Sequence, residues 1–122
     1  MSKQNFRLIF SIVIGIMMFG IFKNMFASTD NNQLKEAIKN GAFLVDVRKP
    51  AEFSAGSVKG AVNIPLDKVP SQLSKFKSKK SIVVFCRSGS RSSQAKNILE
   101  QNGFKNVING GTWQNVNQTI NE

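Results

Sequence analysis

The chain has 122 residues, 17 basic and 7 acidic for a formal charge of +10, with 41% hydrophobic residues and a single cysteine. That length and core content suit one globular domain. Histidine and tyrosine are absent, which excludes imidazole bases and phenolic acids; one cysteine and no histidine also exclude zinc ligation, an internal disulfide and a CxxC redox pair, so no metal and no cofactor is expected.

Lys3 and Arg7 precede fifteen uncharged, mostly apolar residues from Leu8 to Phe22, and Lys23 follows. A basic flank and a run shorter than about 20 residues read as a secretory signal peptide. A cleavage site after Ala27 would put Met25 where a small residue is wanted. The alternative is therefore an uncleaved anchor, with Lys23 snorkelling and the helix running on through Ala27. In both cases the chain is expected to be exported, periplasmic or anchored in the inner membrane, facing away from the cytoplasm. Residues 1–29 form this segment and its polar hinge, and 30–122 form the domain.

Within the domain, Leu34, Ala37 and Ile38 are spaced for one helical face, and Asn40-Gly41 is a stop, so a helix is predicted over 31–39. Phe43 to Val47 reads as a buried strand. Pro50 starts a helical turn through Phe53 that Gly56 ends, and a short strand at Ala61 to Asn63 stops before Pro65. Val69, Leu73 and Phe76 suggest a helix over about 68–76. Then come the strand Ile82 to Phe85, a helix over about 92–101 with Gly103 as its stop, and a strand near Asn106 to Ile108. Strands alternating with helices imply an open α/β sheet, whose sites form beyond the carboxyl ends of the strands.

Cys86 sits at such an end, opening the run Cys86-Arg87-Ser88-Gly89-Ser90-Arg91 before the next helix. Unpaired amides and the positive end of the helix dipole favour an anion there, as do Arg87 and Arg91, and Gly89 permits the φ > 0 turn that points successive amides inward. The reading is a reactive thiol with a lowered pKa, in place of an inert core cysteine.

From about Asp30 onward 14 basic residues face 7 acidic ones, so the domain itself is basic. Its one dense cluster, Lys75, Lys77, Lys79 and Lys80, has only Phe76 as a nearby aromatic and reads as solvated surface, so no nucleic-acid partner is expected. A general positive field draws small anions or an acidic membrane surface.

Three stretches carry a resemblance. Leu44-Val45-Asp46-Val47-Arg48 with Glu52-Phe53 and Gly56 to Pro65, then Val83 to Ser92, then Gly103 to Val107 with Gly110-Gly111 and Trp113, resemble the signatures of rhodanese domains over about 34–113. The resemblance implies a rhodanese-like, mostly parallel open sheet flanked by helices, here preceded by an N-terminal hydrophobic helix. It implies a sulfurtransferase of the thiosulfate type. Cys86 would be the nucleophile that becomes a persulfide, and Arg87, Ser88, Gly89, Ser90 and Arg91 the cradle for it and for a small anionic sulfur donor; cyanide or a thiol would be the acceptor. Arg91 either contacts the donor or holds the loop. Asp46 and Arg48 would brace the loop or its neighbours; an Arg48–Glu52 ion pair is the alternative. Gly56, Gly60 and Pro65 serve backbone geometry, and Trp113 is expected in the core or at the rim. Many family members carry histidine where this chain has Ser57. The competing functions are a noncatalytic binding or sulfur-carrier module at the cell envelope, and a cysteine phosphatase or arsenate reductase. Phosphate-cleaving loops place arginine six positions after cysteine; here Arg91 is fifth and Ser92 sixth.

Overall fold

The computed structural model describes residues 31–122. The expected signal or anchor segment, 1–29, lies outside the described residues, among which no helix is long and apolar enough to cross a membrane.

The elements are α1 (Asn31–Lys39), β1 (Phe43–Asp46), α2 (Pro50–Ala55), β2 (Val62–Asn63), two 3-10 helices (Leu66–Ser71 and Leu73–Phe76), β3 (Ile82–Cys86), α3 (Ser90–Gln101), β4 (Val107–Thr112) and α4 (Trp113–Ile120). The four strands form one sheet in the order β2-β1-β3-β4, and every pairing is parallel. Parallel neighbours require crossovers, and helices on both faces supply them.

Successive side chains of a strand point to opposite faces, and β3 divides its residues accordingly. Ile82, Val84 and Cys86 pack with Val45, Val47, Ile64, Val69, Phe76, Ala95 and Leu99 on one face. Val83 and Phe85 pack with Leu34, Ala37, Val58 and Val116 on the other. All five β3 residues are buried, which accounts for its unbroken apolar run. The sulfur of Cys86 is thus turned toward the face that α3 covers.

Three elements differ from expectation. The helix predicted over 68–76 is instead two 3-10 helices, with Pro70 inside the first; the segment begins at Leu66, and Pro70 has no N–H to give the Leu66 carbonyl four residues back, so the turn does not continue as α-helix. The last strand runs to Thr112 rather than ending near Ile108, because a bulge lets it stay paired with β3: Val84 faces Asn109, but Phe85 faces Gly111. The extra residue is Gly110, where a Cβ would lie 2.6 Å from Val116 Cγ2 and 3.0 Å from Val83 Cγ1. Finally, α4 was not anticipated. Thr112 caps it by accepting from the Asn115 amide at 3.0 Å, and Val116 anchors it under the sheet.

Phe76 makes edge contacts with Phe43 and Phe104, centroids 5.8 and 6.1 Å apart, at the amino end of the sheet. Lys79 stacks its ammonium 4.6 Å from the Phe43 ring centroid. The lysine cluster therefore lies at the end of the sheet opposite Cys86.

Candidate active site at the carboxyl end of the sheet

β3 delivers Cys86 to the edge of the core, and Gly89, with φ +94° and ψ −13°, turns the chain into α3 as its N-cap residue. This left-handed conformation is easy for glycine and strained for other residues. The turn aims the Gly89 amide at Cys86 Sγ at 3.0 Å, and the Ser92 amide, in the first turn of α3, at 3.4 Å. The Ser92 hydroxyl oxygen lies 3.4 Å from the same sulfur. A helix N-terminus has spare donors; here they converge on one sulfur atom.

Cys86 is fully buried. Burial pushes the thiol pKa up, but the contact with the Ser92 side chain and the hydrogen bonds from the amides of Ser92, Ser88 and Gly89 outweigh it, and the net shift is downward from the ordinary 9.0. Hydrogen bonding to the charged form overcomes desolvation. Arg87, Ser88 and Ser90 are exposed around the buried sulfur.

Arg91 does not face the sulfur as a free cation. Its Nη1 and Nη2 donate to Glu52 Oε1 and Oε2 at 2.6 and 3.0 Å, a two-pronged pair joining α3 to α2. The Arg91 hydrogen bonds pull the Glu52 carboxyl down to about 2 against the opposing effect of burial. Glu52 in turn holds Arg91 protonated. The Arg48–Glu52 ion pair expected as the alternative does not form; each residue has another partner.

Arg48 instead binds Asp46. Its Nε donates to Oδ1 and Oδ2 at 3.0 Å each and its Nη2 to Oδ2 at 2.7 Å, while its amide donates to Oδ1 at 2.9 Å. Asp46 has no exposed surface and Arg48 only 5%. Arg48 Nη2 also reaches Gly56 O at 2.6 Å, and the guanidinium sits 5.3 Å from the Trp113 ring centroid, a rim aromatic. The Ser57 hydroxyl donates to Asp46 Oδ2 at 2.7 Å, so the residue standing where many family members have histidine still donates to this carboxylate. Asp46 and Arg48 brace the segment that carries Glu52 rather than the cysteine loop directly.

Two residues at the thiol were not singled out from the sequence. Ser92 lies one position beyond the cradle as expected, although the third residue of any helix has a spare amide. Asn109 comes from the bulge of β4, which no local pattern announces. Its Oδ1 accepts from the Ser92 hydroxyl at 2.8 Å and from the Gly111 amide at 2.9 Å. Beside the loop, a cleft of about 590 Å³ is lined by Val47, Pro50, Pro65 and Leu66 with the charged groups of Lys49, Lys68, Asp67 and Arg91. Among the described residues no cluster of acidic or sulfur side chains suits a metal ion.

The model of the rhodanese-like domain matches residues 30–113. The chain is 39% identical over 66 residues to a sulfurtransferase of Allochromatium vinosum, covering 54% of this chain and 62% of that one. It is 35% identical over 74 residues to the thiosulfate sulfurtransferase PspE of Escherichia coli, covering 59% of this chain and 71% of that one. Against relatives from Schizosaccharomyces pombe and Bacillus subtilis it spans 59% and 54% of their length. Among solved structures, an E. coli rhodanese with anions superposes with a TM-score of 0.57 at 34% identity, over 62% of this chain and 91% of that one. The human single-domain sulfurtransferase TSTD1 superposes with a TM-score of 0.56 at 26% identity, over 69% and 88%. With the matched region spanning both the Asp46–Arg48 pair and the Cys86 loop, the chain belongs to the rhodanese-like domain family.

Proposed function

We propose that the protein is a sulfurtransferase in which Cys86 carries a sulfur atom as a persulfide. The thiolate attacks the outer sulfur of a donor such as thiosulfate; a sulfur–sulfur bond forms to Sγ, the donor's own sulfur–sulfur bond breaks, and sulfite leaves with the electron pair. Cyanide or a thiolate then attacks the terminal sulfur, and the Cys86 thiolate departs with the bonding pair as thiocyanate or a new persulfide forms. The convergence of the Gly89 and Ser92 amides on Sγ carries this reading, because fixed donors stabilise both the nucleophile and the leaving group without reorganising. The names of the A. vinosum and E. coli relatives support it.

With Arg91 engaged by Glu52, Arg87 is the charge partner for the incoming anion, and Arg91 holds α3 against α2. The donor reaches the buried sulfur as the exposed residues Arg87, Ser88 and Ser90 give way. A phosphatase reading is disfavoured, since Ser92 occupies the sixth position and Arg91 is turned to a carboxylate. The test is incubation with thiosulfate and cyanide, following thiocyanate, with mass spectrometry for one added sulfur on Cys86. Turnover lost in Cys86→Ala is the expected result. Equal rates in the two proteins overturn the reading, and a persulfide without thiocyanate release marks a sulfur carrier instead. We also assign residues 1–29 to export or anchoring outside the cytoplasm; recovery of the full chain solely from the cytoplasmic fraction contradicts that.

A further inference from the structure

Ser92 Oγ is fully buried with two acceptors in reach, Asn109 Oδ1 at 2.8 Å and Gly89 O at 3.1 Å, and the Cys86 thiol, which donates to it, at 3.4 Å. A hydroxyl has one proton to donate. The orientation of the Asn109 amide is settled by its neighbour: the Gly111 N–H donates to it at 2.9 Å, so the atom there is the oxygen, which has no proton of its own. Between Asn109 Oδ1 and Ser92 Oγ the proton must therefore come from the serine. That leaves only lone pairs of Ser92 Oγ for the sulfur, an arrangement that accepts from a protonated thiol and repels a thiolate.

We infer that Asn109 is a positioning residue that competes with the Cys86 sulfur for the single proton of Ser92 and so restrains ionisation of the thiol. The thiolate gains the Ser92 hydrogen bond only when the hydroxyl swings away from Asn109, its shorter contact, and past Gly89 O, the longer one. The β4 bulge at Gly110 is what brings Asn109 to this place. The inference concerns the same thiol as the sulfurtransferase reading and rests on that reading for its biological use, but its readout needs no sulfur transfer. The other charged groups around the thiol are Arg91, paired with Glu52, the exposed Arg87, and the Asp46–Arg48 pair; β4 and α4 contribute no titratable side chain.

The experiment is the pH dependence of Cys86 alkylation by iodoacetamide in the full chain. Asn109→Ala lowers the midpoint by about half to one pH unit, the worth of one ordinary hydrogen bond that the freed Ser92 hydroxyl gives the thiolate. In the Ser92→Ala background Asn109→Ala has no effect. An unchanged or raised midpoint in Asn109→Ala, or an equal fall without Ser92, overturns the inference. Should Asn109→Ala fail to fold for want of an acceptor for Gly111, Asn109→Asp retains one. It raises the midpoint more with Ser92 present than in Ser92→Ala, and an equal rise in both is charge alone and refutes the coupling.

Discussion

Replacing Asp46 by alanine tests the architecture behind the site. The substitution removes four hydrogen bonds from Arg48 and one from Ser57 and leaves a guanidinium that is only 5% exposed. Breaking a buried pair from one side costs about 3–5 kcal/mol, because the surviving charge stays desolvated without its partner. The remaining contacts of Arg48, to Gly56 O and the Trp113 ring, place the expectation toward the lower end, about 3 kcal/mol. A small domain has about 5–15 kcal/mol in all, so the loss is large. With a urea m-value of about 1–2 kcal/mol per molar, the unfolding midpoint falls by about 1.5–3 M. Removing the charge as well, in Asp46→Ala/Arg48→Met, leaves no orphaned cation and costs less than the single change. Urea titrations of the wild type and the variants decide the matter. A loss under about 1 kcal/mol for Asp46→Ala, or a double variant at least as unstable as the single one, refutes the reasoning that the pair acts as a desolvated unit.

Three further outcomes follow from the clamp and the glycines. Because the Glu52 carboxyl is depressed from 4.5 to about 2 in the folded protein, its stabilising contribution is full above pH about 4.5 and is lost as pH falls toward 2; Glu52→Gln flattens the acid limb of the unfolding profile, and an unchanged limb contradicts the Arg91 clamp. Gly110→Ala forces a methyl against Val116 and Val83 and destabilises by about 1–3 kcal/mol, measured by thermal or urea unfolding, whereas Gly60→Ala, with open space around it but φ +84°, costs about 1–2 kcal/mol through backbone strain alone.

The sequence carried the core of the answer wherever neighbouring residues decide the physics. The apolar runs Phe43 to Val47 and Ile82 to Phe85 read as strands of a parallel sheet and form β1 and β3 over Phe43–Asp46 and Ile82–Cys86, and α1 has the bounds its apolar spacing implied. Cys86 at the end of β3, followed by a glycine and a helix start, already specified a thiol at a site rich in spare amides. Local reading failed where a single residue overrode the spacing, as Pro70 did to the helix expected over 68–76. It also missed α4, although Val116 and Ile120 are four apart and Thr112 is a capping residue; the intervening asparagines and glutamines gave little contrast.

What the sequence by itself determined was a parallel α/β domain with a cysteine at a strand end facing a helix start, because periodicity, turn residues and helix starts are properties of adjacent positions. The partners of each charge were decided only by the tertiary structure. Glu52 is 39 residues from Arg91 and Asn109 is 17 from Ser92, and nothing along the chain says that Arg48 turns back to Asp46 rather than on to Glu52. Such pairs form when the crossovers of a parallel sheet bring distant strand ends together, and burial then admits only the arrangement in which every charge and every proton finds a counterpart.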